Sequence, residues 1–310
     1  KVRALLLFGQ RGGDLVTVES ALHFMHRLFA GLMAPSHTVE GALSRTLLSK
    51  VDLHIVVLAN PDGRNYLERT GDSCFDNMFL GRSMDTLFVW DLEHRQTAAR
   101  AETHVVLNLS QAQAFDAFVA FRSGVREIHL PFAGVHFGQS NLKPANLEAM
   151  TLLAKEVAWS VKPHFVYGQA RDLMPKSPNG TAFDFMAGVR KVPFSLSIGL
   201  WSRRPGSRRF NCFLDLNPES KMLKQALEEL HPLYQALFLH LINWKEQQSR
   251  SAFSFEHDGP SLLLCSLVLC IVIVMLVLFA FQHRLPDSMR FYPRRRVVSL
   301  KMLSSSLHSS

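Results

Sequence analysis

Residues 261–281, SLLLCSLVLCIVIVMLVLFAF, form a run of 21 residues without a charge. As a helix rising 1.5 Å per residue, such a run is roughly 30 Å long, the thickness of a bilayer's hydrocarbon core. A buried helix of a soluble core is the alternative, but those rarely lack every polar side chain larger than serine. One transmembrane helix is therefore expected. Six basic residues follow it (Arg284, Arg290, Arg294, Arg295, Arg296, Lys301) against the single acid Asp287. On the other flank, Lys245 and Arg250 are set against Glu246, Glu256 and Asp258. Because positive charge collects on the cytosolic side, residues 1–260 are expected in the lumen or outside the cell. The expected division is a folded domain over 1–247, a juxtamembrane linker over 248–260, the span over 261–281 and a basic cytosolic tail over 282–310. Such a tail attracts anionic lipid at about 1 kcal/mol per basic residue.

The tail also accounts for most of the charge. The formal net charge is +8, of which six basic residues less one acid contribute +5, leaving +3 for the rest. That remainder carries no basic stripe interleaved with aromatics, so nucleic acid is not an expected partner. Hydrophobic residues make up 47% of the chain, enough for a large core. The sequence opens at Lys1 with VRALLLFG, already a strand pattern, and without an initiator Met or a signal peptide. A processed or fragment end is expected there, leaving a sheet edge open to association. Two glycosylation triplets, Asn108-Leu109-Ser110 and Asn179-Gly180-Thr181, agree with an outside location.

Within the domain, the apolar run at residues 55–58 reads as a strand covered on both faces, and Asn60-Pro61-Asp62-Gly63 turns the chain sharply after it. Pro61 presets φ, and Gly63 permits a positive φ. Residues 2–8 read as a first strand. A helix capped by Thr17 is expected to run to about residue 33, with Leu22, Met25, Phe29 and Leu32 as its apolar stripe. Further expectations are a helix over 40–50, strands over 102–107 and 125–130 with a helix over 111–121 between them, and a helix over 143–161. Beyond these come a strand over 192–200 and two helices, 219–231 and 233–246, separated by Pro232. His23 and His26 lie one helical turn apart, but an amphipathic helix makes a surface or core role the natural reading for both.

The apolar strand followed by NPDG, the Asn179-Gly180-Thr181-x-x-Asp184 loop, and the strand Pro193-Phe194-Ser195 occur in the order found in zinc carboxypeptidases of the carboxypeptidase A type (peptidase family M14). The chain resembles that family over most of residues 1–245. The resemblance implies an α/β fold, a mixed, largely parallel sheet flanked by helices, with the site at the strands' C-terminal ends. It also implies where the chemistry should sit. The family's Gly-x-His-x-x-Glu, holding two zinc ligands, falls on Gly9–Asp14, so Arg11 and Asp14 stand in their places. A guanidinium has no lone pair for zinc, and Asp14 is one methylene short of glutamate. His129 falls where the third ligand is expected and is the one retained. It is also of the type most often found as a hydrogen-bonded structural residue.

The remaining family positions are substituted. Gly199 replaces the general-base Glu, Asp76 the carbonyl-polarising Arg, Asp85 and Thr86 the pair that grips the substrate carboxylate, and Lys176 the capping Tyr. A glycine cannot carry a proton, and an acid facing a carboxylate repels it. With Cys265 and Cys270 inside the expected span, Cys74 and Cys212 remain, and both fall where related chains carry Cys; their pairing is left open. The resulting expectation is a membrane-anchored carboxypeptidase homologue without catalysis or a bound cofactor, able to hold peptide C-termini. The alternative is an active zinc carboxypeptidase with shifted ligands such as Asp14, His129 and His136.

Overall fold

A computed structural model of the chain describes residues 1–71, 101–133, 143–174, 181–202, 212–257 and 262–281. Two compact units divide between Gln248 and Ser249. In the first, β1 (Val2–Leu7) is followed by α1 (Leu15–Met33), α2 (Val39–Lys50), β2 (Val51–Val56) and α3 (Pro61–Thr70). Then come α4 (Ala101–Ala112), β3 (Ala117–Arg122), β4 (Glu127–Leu130), α5 (Leu147–Trp159), β5 (Val166–Gln169) and the short α6 (Ala170–Leu173). The series closes with α7 (Ala182–Gly188), β6 (Phe194–Gly199), α8 (Cys212–Leu216) and α9 (Ser220–His257).

The six strands form one sheet in the order β2-β1-β3-β6-β4-β5, parallel except where β4 runs antiparallel to β6. Successive residues of β1 serve opposite faces. Ala4, Leu6 and Phe8 join a core with α1, α2, α5 and α9, while Leu5 and Leu7 join one with α4 and α7. Burial on both sides is what an uninterrupted apolar strand implies, and it makes this a helix–sheet–helix stack. On the larger face, Phe8 stacks on Phe121 at 4.3 Å and Phe24 on Tyr234 at 4.6 Å. The Tyr234 hydroxyl shares a 2.7 Å hydrogen bond with Ser20, and burial holds its phenol protonated far above the ordinary range.

Several expectations are corrected. The strand over 51–56 is not central: β2 lies at the sheet edge and is half-buried over most of its length. Asn60-Pro61-Asp62-Gly63 is the start of α3, with Asn60 as N-cap accepting from the Gly63 N–H at 2.8 Å and Pro61 in the first turn. Gly63 is not among the positive-φ glycines. Close approach explains it, since a Cβ on Gly63 would lie 2.8 Å from Oδ1 and Nδ2 of the capping Asn60 side chain.

Strand and helix are exchanged between 101 and 122. Residues 101–112 form α4, whose inward positions Thr103, Val106 and Ser110 keep helical spacing but are mostly polar and so escape an apolar pattern. Residues 117–122 form β3, buried at every position, where a central place in the sheet overrides the helix preference of Ala.

The face of α1 also differs. Ala21, Phe24, Leu28 and Gly31 point inward, while Leu22 and Phe29 are exposed, because small residues let α1 sit close to its neighbours. Thr17 lies inside the helix, and Asp14 takes the N-cap position. Residues 220–257 form one helix through Pro232. Proline in a helix interior costs about 3 kcal/mol; burial of Leu233, Tyr234, Leu237, Phe238 and Leu241 just beyond it favours continuation.

In the second unit, residues 262–281 form the uncharged helix α10 (Leu262–Phe281). Its side chains are described over residues 266–279, all of them exposed. Among the described residues no helix is long and apolar enough to cross a membrane. That described stretch falls short of the ~20 residues a span takes.

Candidate functional site

The parallel strands β1, β3 and β6 are neighbours, so their C-terminal ends lie side by side. The loop leaving β1, residues 8–14, is fastened from two directions. On one side, Ala59 N–H donates to Phe8 O at 3.0 Å, Asn60 N–H to Gly9 O at 2.9 Å, and Asn60 Nδ2 to Gln10 O at 3.2 Å. On the other, Asn217 Nδ2 donates to Gly13 O at 2.8 Å, and its Oδ1 accepts from Val16 N–H at 2.9 Å. Asn217 is 3% exposed, so neither bond has water as a substitute. Thr17 joins the same knot: its Oγ1 accepts from Gly9 N–H at 3.1 Å and donates to Asp14 O at 2.7 Å.

A second fastening lies across the sheet. Asp184 accepts from Ala133 N–H at 3.0 Å, and Thr181 caps α7 by accepting from the Asp184 N–H at 3.3 Å. Cys212 is disulfide-bonded, and Cys74 lies outside the described residues.

At the centre, Arg122 is the last residue of β3 and the register partner of Gly199. Its Nη2 donates to His129 Nδ1 at 2.6 Å, and His129 Nε2 lies 2.6 Å from Glu127 Oε2. The same Nη2 is 2.8 Å from Nε2. One tautomer satisfies all three groups, with Nδ1 accepting from the guanidinium and Nε2–H donating to the carboxylate. Burial first, and the Arg122 charge second, lower the His129 pKa to about 4 against the pull of Glu127. The imidazole is therefore neutral at pH 7, with both nitrogens engaged. It belongs to an Arg–His–Glu chain in which only the Glu127 carboxylate is part-exposed, and because β4 runs antiparallel to β6 it sits opposite Ser197, two residues short of the C-terminal end of β6.

Asp14 is 1% exposed at the start of α1, while Arg11 is half-buried in the loop before it. Gly199 ends β6 against the backbone of Val125: a Cβ there would lie 2.3 Å from Val125 O and 3.0 Å from Val125 Cγ2. No larger residue fits without moving that backbone. Asp76, Asp85, Thr86, Lys176 and His136 lie outside the described residues. His23 faces α9, 3.7 Å from Glu228 and edge-on to His231, while His26 is exposed. Asn108 is exposed on α4, whereas Ser110 of the same triplet is buried and bonded to Arg190; Asn179 lies outside the described residues.

Solved structures share the sheet-and-helix architecture. Thrombin-activatable fibrinolysis inhibitor superposes with a TM-score of 0.62 at 13% identity, over 78% of this chain and 63% of that one. Its bovine form, in complex with tick carboxypeptidase inhibitor, gives 0.57 at 15% identity, over 78% and 83%. Carboxypeptidase A from Helicoverpa armigera gives 0.57 at 14%, over 78% and 62%. The chain has the metallocarboxypeptidase fold. It spans less than two thirds of the first of these proteins, and identities this low speak for the fold alone. The sequence matches no family model and no curated protein.

Zinc, which the fold family implies, does not fit the described residues. Among the described residues no group of three His, Cys, Asp or Glu side chains could hold a metal ion. A guanidinium, not a lone pair, stands at residues 11 and 122, and His129 spends both nitrogens on Arg122 and Glu127. Arg122, Glu127 and Asn217 escape a motif-based reading. One signal for Arg122 was available: a charge ending the otherwise apolar strand Ala117–Arg122 asks for a local partner.

Proposed function

We propose that the chain is a membrane-anchored protein of metallocarboxypeptidase fold that does not hydrolyse peptides and uses the retained cleft to hold peptide C-termini. The observation that carries this reading is the contact between residue 199 and the Val125 carbonyl. In metal-assisted hydrolysis a carboxylate must take a proton from the attacking water. Here backbone occupies the space that such a side chain would need. The cation at residue 11 points the same way, since it suits an anionic chain end and opposes a metal ion. Anchoring rests on residues 261–281 as a whole, and the exposed apolar side chains of 266–279 fit a lipid surround. The basic tail then lies in the cytosol.

Two measurements test this. Elemental analysis of the purified full chain is expected to find zinc far below one equivalent, with no release of C-terminal residues from a peptide library. Stoichiometric zinc with chelator-sensitive release, lost in His129→Ala, would reinstate an active enzyme built on Asp14, His129 and His136. Alkaline carbonate extraction is expected to leave the chain in the membrane pellet; release into the supernatant would remove the anchor.

A further inference from the structure

A cavity of about 400 Å³ lies at the start of β6, away from the strand ends described above. Its floor is apolar and buried: Phe132 after β4, Met150 on α5 and Val192 before β6. Its rim carries Lys143, Lys191 and Asn146, the N-cap of α5. Val192 and Pro193 lead into β6 and Gly199 ends it, so five strand steps, roughly 17 Å, separate this cavity from the cleft. The volume falls within the range of small-molecule sites, and apolar walls with a few converging polar groups are their usual composition.

Two features single this cavity out. Both lysines are exposed and, among the described residues, neither has a carboxylate partner. Glu148, the acid in the first turn of α5, is not part of the lining. Net positive charge therefore faces an apolar pocket. Lys191 also holds a φ of +55°, and it is the one non-glycine residue at positive φ among the described residues. That conformation disfavours a side chain, so the ammonium is presented at the rim against local backbone preference.

We infer that this pocket binds a small amphipathic anion, a carboxylate or sulfonate on an aryl or alkyl body. Lys143 and Lys191 take the charge, while Phe132, Met150 and Val192 take the body. The site is separate from the peptide cleft and does not depend on its occupancy.

Fluorine NMR titration of the full chain in nanodiscs tests it, with 4-(4-fluorophenyl)butyrate as probe, its neutral amide as control, and empty nanodiscs as background. Saturable binding of the acid, with the amide much weaker, is expected. Lys191→Gly, which also relieves the backbone, and Lys143→Gln should each weaken the acid about fivefold, the upper range for one exposed ion pair. Circular dichroism confirms that each variant is folded. Equal binding of acid and amide, unchanged affinity in both variants, or no saturable binding overturns the site.

Discussion

The loop leaving β1 and the end of β6 lie at one edge of the sheet and have fared differently. The loop keeps its hydrogen-bonded frame, with Asn60 on one side and Asn217 on the other satisfying buried backbone groups. At the strand ends beside it, Arg122 is bonded to His129, and Gly199 lies against the backbone of Val125. The frame and the chemistry answer to different physics. A buried carbonyl or N–H costs free energy whenever its partner is lost, whatever the protein does. A catalytic group is under no such constraint, and at residue 199 the space that a side chain would need is taken by the Val125 backbone.

Substitutions that strike each region separately can break this contrast. Asn217→Ala strands the buried Val16 N–H and Gly13 carbonyl together and should lower stability by about 3–4 kcal/mol, read by denaturant unfolding. A loss under about 1 kcal/mol would mean that the loop is not held from that side. The Arg122–His129–Glu127 chain makes a pH prediction of nearly equal size. His129 has a folded pKa of about 4, below the value of ~6.5 in the unfolded chain, so unfolding takes up a proton between those limits. Stability should thus be full above pH 6.5 and fall by about 1.4 kcal/mol per unit as the pH drops toward 4. Urea midpoints measured across that window check it, and His129→Gln should flatten the slope.

Gly199→Ala comes next, at about 1–3 kcal/mol of destabilisation from a methyl group driven into the Val125 carbonyl. A neutral or stabilising effect would show that the space is open and would weaken the case against a base at this position. The smallest effect is expected at Arg11→Ala, within about 0.5 kcal/mol in thermal unfolding, because a half-buried side chain with no fixed partner among the described residues adds little to the folded state. If that cation instead meets a ligand, the variant should lose peptide binding while keeping its stability, which sharpens the comparison from the other direction.

Legibility in the sequence followed the same division. NPDG, the Asn-Gly-Thr-x-x-Asp loop and the Pro-Phe-Ser strand were readable because frame residues need particular side chains at particular backbone positions. Asp184 and Asn60 carry out those duties in the fold. The α4–β3 stretch was misread because the inward face of α4 includes Thr103 and Ser110, while β3 is buried on both faces and leaves no period. Arg122 went unnoticed because no motif contains it. Its partners His129 and Glu127 lie on β4, and only the insertion of β6 between β3 and β4 sets the geometry of that contact.

The residues present in this chain already decide that position 199 holds no proton acceptor and position 11 no metal ligand, since both follow from side-chain chemistry. They also decide that 21 uncharged residues precede a basic tail. Tertiary structure alone decides that the space beside Gly199 is filled by backbone, that both nitrogens of His129 are committed, and that two lysines with no carboxylate partner among the described residues overlook an apolar pocket. The first and last of these depend on distances between segments far apart in the chain, and the second on how β3 and β4 flank β6; packing sets all three, and local sequence does not encode them.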